Sequence, residues 1–216
     1  MSYLINLFPS LIRATGTTLA LFAVTLLFSL PLGWLLSLVR VSKWKLPKKI
    51  IEGYCWVLRG TPLVLQLAFV VYFLLPLIFP DVRISRFVAA CVAFVLNYSA
   101  YFAEIFRGGI VSVPKGQHEA AAVLGLSQAH IMLRIVLPQA IKTVIPSLGN
   151  EVITLVKDTS LVYSIGLAEL SRVASQAVSR DFRFEPFLGA AIIYLALTFV
   201  LTKAMSLLEK KMNYYR

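Results

Sequence analysis

The sequence predicts an all-α membrane protein with five transmembrane helices, and three observations lead there. Of 216 residues, 59% are hydrophobic and only 14% charged, with a mean hydropathy of +0.81; soluble domains rarely reach such values. Five apolar stretches approach the ~20 residues that cross ~30 Å of hydrocarbon. The 21 Lys and Arg residues gather mainly in clusters between those stretches. The net charge of +11 therefore speaks for membrane topology. Nucleic-acid binding is disfavoured, because few aromatic residues interleave with the bases in a groove-like pattern.

Taken in order, the opening MSYLINLFPSLIR has no basic leading region and no small-residue cleavage site. It reads as a short interfacial segment ending at Arg13, not a removable signal. The first span covers 15–39, with Pro31 and Gly33 inside it, breakers that neighbouring helices can accommodate in a membrane. Arg40, Lys43, Lys45, Lys48 and Lys49 follow as a basic connector. Span two, 58–79, opens on Arg59-Gly60-Thr61-Pro62 at the cytoplasmic interface. Proline costs little at a helix start, and this segment reads as structural and gate-adjacent.

A short connector around Pro80-Asp81-Val82-Arg83 leads to span three, 86–108, then a polar loop of about 112–138, then span four, 140–166, with Pro146 early in it. The connector 167–186 mixes Glu169, Arg172, Arg180, Asp181, Arg183 and Glu185 with apolar residues at helical spacing. It reads equally as a surface helix meeting an external partner and as a solvated link. Span five covers 187–208, and a single membrane domain, 1–216, accounts for the chain.

Orientation follows from the bases. The cluster after span one, Arg107, Lys115, Arg134 and Lys142 around the polar loop, and Lys203, Lys210, Lys211 and Arg216 at the end hold 13 of the 21 Lys and Arg. The excess marks cytoplasmic loops, so the N-terminus is expected outside and the C-terminus in the cytoplasm.

In the polar loop, Gln117 to Leu124 favours helix through Ala120, Ala121 and Ala122, with Glu119 in the first turn where a negative charge suits the dipole. Gly125 offers an exit, and Ser127 an N-cap for a second helix through His130, Met132 and Ile135. Two short helices meeting at a Gly125–Ser127 corner would present a shallow face of small residues to another protein. A loop folded beneath its own helices is the alternative.

Glu104, Glu151, Lys157 and Asp158 are ionisable residues within spans. Each costs ~2.5–3.5 kcal/mol in lipid even by insertion scales, so each is expected to face a cavity or a partner. Glu151 and Asp158 are seven apart and share a helix face, and Asn97, Tyr101 and Glu104 form another stripe; the two would line one path. Interhelical packing for Tyr101 and an ion pair for Lys157 are the alternatives. Lys157-Asp158-Thr159-Ser160 is rich in capping residues and predicts a discontinuous helix whose free N–H groups meet an anionic group. A substrate α-carboxylate would approach there, with Lys157, and its α-amino group would meet Glu104 or Asp158.

Catalysis is not indicated. Ser160 has no intramembrane histidine, His118 and His130 lie on the loop, and Cys55 and Cys91 are separate thiols without metal-ligand spacing.

The segment EAAAVLGLSQAHIMLRIVLP at 119–138, with Glu119, Ala120, Ala121, Gly125, Ile135, Leu137 and Pro138, resembles the EAA coupling loop of ABC-importer permeases. RGTPLVLQ at 59–66, AEIFRGGI at 103–110 and NEVITLVKDTSL at 150–161 resemble the polar amino-acid branch of histidine, arginine and glutamine type. The resemblance covers most of residues 11–210.

It implies a type I importer fold in a bacterial inner membrane, a permease dimer, two ATP-binding-cassette ATPase subunits and an extracytoplasmic substrate-binding protein. Glu119, Ala120, Ala121, Gly125, Leu126 and Ser127 would couple to the ATPase. Asn97, Tyr101, Glu104, Asn150, Glu151, Lys157 and Asp158 would contact substrate. ATP and magnesium belong to the partner, since the chain lacks a G-x-x-x-x-G-K-[ST] phosphate loop, and no cofactor is expected here. Three acids against one lysine favour a basic amino acid, with Glu151 reading the side chain. A neutral one such as glutamine is the alternative. A secondary transporter would need no docking loop and would often carry inverted repeats.

Overall fold

The computed structural model describes residues 2–212, so Arg216 of the basic C-terminal cluster lies outside the described residues. The helices are α1 (Ser2–Val41), α2 (Lys45–Gly60), α3 (Leu63–Ile78), α4 (Arg86–Ser112), α5 (Lys115–Val123), α6 (Gln128–Ile165), α7 (Leu170–Asp181) and α8 (Glu185–Met212). Four of them are long and apolar enough to cross a membrane alone, and α2 with α3 makes a fifth, bent by 109°.

The interfacial segment expected before Arg13 is instead the first turns of α1. The reason is packing: Leu7 and Leu11 join Leu170, Ala174, Ala177, Ala190 and Ile193 in one buried cluster. That cluster also makes the 167–186 connector a helix, α7, whose small face is covered. Glu169 caps it, its carboxylate accepting the Ser171 and Arg172 N–H groups at 2.8 and 2.7 Å and the Tyr194 hydroxyl at 3.0 Å. Burial pushes the Glu169 carboxyl above its usual range despite those three donors.

α1 and α4 pack along their length because α1 turns small residues inward. Thr18, Thr25, Ser29 and Ser37 are all fully buried, the small-residue device by which membrane helices approach closely. Gly33 is the tightest point, since a Cβ there would lie 2.6 Å from Phe102 Cβ and 3.0 Å from the Ala103 nitrogen and Ser99 oxygen. Phe94, Tyr98 and Phe102 of α4 then fill the main core with Leu21, Leu67, Leu155 and Val162.

Two π-helical turns, Val70–Leu74 and Ile131–Val136, each precede a proline, Pro76 and Pro138. Proline removes the N–H that would bond four residues back and crowds that carbonyl, so the preceding turn widens. At Pro138 this keeps the chain helical from the loop into the fourth span, instead of ending a short helix there.

Three expectations change. The basic connector after span one is largely helix α2, whose Ile51, Tyr54, Cys55 and Leu58 form its packed face. The second span breaks at Gly60–Pro62, and that break lies level with the middle of α4: Asn97, which donates to the Leu58 carbonyl at 3.1 Å, is about halfway along α4. Arg59 therefore stands level with the middle of α4, with its side chain 41% exposed, and not at the end of the bundle. The fourth span, in contrast, does not break at 157–160. The Thr159 N–H donates to the Leu155 carbonyl and the helix only tightens to 3-10 over Thr159–Ile165, stopping at Gly166, whose φ is +78°. No positive helix end is exposed there, because tightening of a last turn keeps its donors in use.

Candidate functional site

The break in the second span is built from polar side chains. A bent span strands carbonyls in a region without water, and something must satisfy them. Gln66, on the first turn of α3, donates to the Leu58 carbonyl at 2.8 Å, the Thr61 carbonyl at 3.1 Å and the Thr61 hydroxyl at 2.8 Å. Its own carbonyl accepts from Asn97 at 2.9 Å. Asn97 is thus consumed by the scaffold at 4% exposure, not presented to a ligand. Gln66→Leu leaves the Thr61 carbonyl without this donor and Asn97 without its acceptor, while the Leu58 carbonyl keeps Asn97; a loss of about 2 kcal/mol is expected, read as a lowered unfolding midpoint.

Glu104 also departs from expectation. The stripe Asn97–Tyr101–Glu104 does share one face, but that face meets α2 and the end of α1. Glu104 pairs with Arg40 and Arg107 and lies 3.6 Å from Arg59. Three guanidinium groups from α1, α2 and α4 thus already engage the carboxylate expected to meet an α-amino group. Arg40 had looked like a topological charge, yet its side chain is 11% exposed.

What remains open is a smaller constellation. Arg59 stacks over the Tyr101 ring at 5.5 Å and lies in electrostatic reach of Glu151. Glu151 is half-buried, makes no ion pair among the described residues and feels Asp158. Asp158 accepts the Tyr98 hydroxyl at 2.8 Å, and Tyr98 in turn packs between Phe94, Tyr101 and Phe102. Glu151 and Asp158 keep the common face read from their spacing. Asn150 and Lys157 are exposed, on a face about 100° round the helix from the acids, with Lys157 still within electrostatic reach of Asp158. The exposed helix end expected beside Lys157 does not form.

Sequence reasoning missed Arg59, Gln66 and Tyr98 as members of this region. The signal was present for two of them: a charge and an amide flanking Thr61-Pro62 within an apolar stretch.

The loop at the other end is a compact corner. α5 starts at Lys115, earlier than expected, so Glu119 sits in the second turn and the dipole argument for it fails. Gly125, at φ +76°, ends the helix: the Leu126 N–H donates to the Ala121 carbonyl at 3.2 Å and the Gly125 N–H to that of Ala122 at 3.0 Å, the paired closure that a left-handed residue permits. The Ser127 hydroxyl accepts the His130 N–H at 3.3 Å and caps the next helix. Ala121 is buried and Leu126 packs against its cluster, so these two hold the corner together. Glu119, Ala120, Gly125 and Ser127 remain exposed, beside Val123 and Leu124 at 88% and 79% exposure. That apolar tip was not foreseen.

Comparison with known proteins agrees with this architecture. Residues 29–214 match the family described as binding-protein-dependent transport system inner membrane component. The glutamine transport system permease GlnP of Escherichia coli K12 is 38% identical over 206 residues, 95% of this chain and 94% of that protein. The arginine transport system permease ArtQ of Bacillus subtilis is 40% identical over 206 residues, 95% and 93% of the two chains. A crystal structure of an amino acid ABC transporter with histidines superposes with a TM-score of 0.82 at 37% identity, covering 94% of this chain and 98% of that one. The chain belongs to the binding-protein-dependent transport system inner membrane components, a multi-pass transport subunit of the inner membrane and not an enzyme.

Proposed function

We propose that this permease is the membrane subunit of an ATP-driven importer of polar, basic amino acids: arginine, lysine or histidine. It works as a permease dimer with two ATPase subunits, which supply ATP and magnesium chemistry, and an extracytoplasmic binding protein. The N-terminus faces outward, and the exposed tip around Glu119, Val123, Leu124 and Gly125 meets the ATPase in the cytoplasm. Relatives named for arginine and glutamine transport support a polar amino-acid substrate, and the arginine relative supports the basic class.

The carrying observation is Glu151, half-buried, without an ion pair among the described residues and within electrostatic reach of Asp158 and Arg59. Two acids and one guanidinium suit a substrate whose α-carboxylate meets Arg59 and whose cations meet the acids. Asp158 already accepts from Tyr98, which favours a second reading: with one acid occupied, Glu151 takes the α-amino group and a neutral side chain such as glutamine suffices.

Glu151→Gln distinguishes them in proteoliposomes. Loss of a charge-assisted hydrogen bond predicts about tenfold lower arginine uptake with ATP hydrolysis intact. A selective loss for basic substrates supports the first reading, and an equal loss for glutamine the second. Unchanged uptake of both removes Glu151 from the path.

A further inference from the structure

α2 has three faces. One packs through Ile51, Tyr54, Cys55 and Leu58. A second is apolar and bare, with Leu46, Ile50 and Val57 at 71%, 61% and 48% exposure. The third carries Lys45, Lys48, Lys49 and Glu52 at helical spacing, lining a shallow groove of about 410 Å³ with Leu46. Among the described residues none of the three lysines forms an ion pair, and Glu52, the one acid in the groove, lies in the field of Arg107. Further along the same face, two turns beyond Lys49 and ~10 Å along the helix axis, stands Trp56 at 79% exposure. Trp44, 69% exposed, flanks the helix start.

We propose that the Lys45–Lys48–Lys49 face is a binding site for an anionic phospholipid of the surrounding leaflet. The lysines hold the phosphate headgroup and an acyl chain lies along Trp56 and the bare apolar face. Charge complementarity selects this occupant: three ammonium groups without an ion pair among the described residues stand beside an exposed apolar face, the pairing that a phosphate headgroup with an acyl chain matches. Indole at the edge of such a face is a usual interfacial anchor.

The test uses the permease purified with its ATPase subunit from nanodiscs of equal phosphatidylglycerol and phosphatidylcholine, with retained lipid identified by native mass spectrometry. Phosphatidylglycerol is expected to be retained in excess. Lys45→Gln/Lys48→Gln/Lys49→Gln lowers that retention by about tenfold or more, Lys45→Arg/Lys48→Arg/Lys49→Arg preserves it, and Lys203→Gln/Lys210→Gln leaves it unchanged. The single changes Lys45→Gln and Lys49→Gln, at exposed positions, give partial losses if the triple variant does not fold. Equal retention of the two lipids by the native protein overturns the proposal. So does undiminished phosphatidylglycerol in the glutamine variants. Loss of the ATPase subunit with lipid retention unchanged assigns the face to that subunit and overturns it equally.

Discussion

Glu104→Gln is expected to destabilise the bundle by about 3 kcal/mol, the low end of what breaking a buried ion pair costs. The carboxylate ties three helices together, drawing Arg40 of α1, Arg59 of α2 and Arg107 of α4 to one point. Its side chain is 24% exposed, that of Arg40 11%, and Arg40 Nε is already buried without a partner. Removing that negative charge leaves three cations facing each other where solvent reaches poorly, with Glu52 still acting on Arg107. Arg59 is 41% exposed and can turn to water, so the loss falls mainly on Arg40. The check is chemical or thermal unfolding of the purified permease. Arg40→Gln/Glu104→Gln should recover a good part of the loss, whereas Arg107→Gln/Glu104→Gln, which keeps the buried Arg40, should recover less. Equal recovery by both would show that Arg40 is not the stranded charge.

The same residue explains how far the sequence was legible. Glu104 could be flagged as a costly intramembrane acid, because cost depends only on being within an apolar span. Its partner could not, because Arg40 sits 64 positions away and looked like one more base in a topogenic cluster. Asn97, Tyr101 and Glu104 were correctly placed on one face by periodicity. Which neighbour meets that face is a tertiary fact, and α2 took it.

The broken helix was expected in the wrong span for a related reason. Lys157-Asp158-Thr159-Ser160 has capping chemistry, but capping residues permit a break without requiring one. Gly60-Thr61-Pro62 favours one more strongly: Thr61, between a glycine and a proline, is extended, the conformation that a residue before proline prefers, and Gln66 is placed to satisfy what the bend exposes. The Gly125 corner was legible because a glycine exit and a serine cap act within six residues. The exposed Val123 and Leu124 were not, because exposure is set by what the remaining helices leave uncovered.

Adjacent glycines on α4 should respond oppositely to the same substitution. A Cβ at Gly109 would run into Val144 Cγ1 and come within 3.0 Å of the Ala140 carbonyl oxygen, where α4 crosses α6. Gly109→Ala is expected to cost about 2–3 kcal/mol, as overpacking at a rigid contact does. At Gly108 nothing lies within 4 Å of such a Cβ, and Gly108→Ala should stabilise by about 0.5–1 kcal/mol through the entropy removed from the unfolded chain. Unfolding of the two variants side by side is the measurement, and a cycle with Val144→Ala apportions the clash. The Val144 methyl can be removed but the Ala140 carbonyl cannot, so Gly109→Ala should remain costly in the Val144→Ala background, only less so. Full rescue would mean that the side chain alone sets the approach of the two helices, and no rescue that the backbone does.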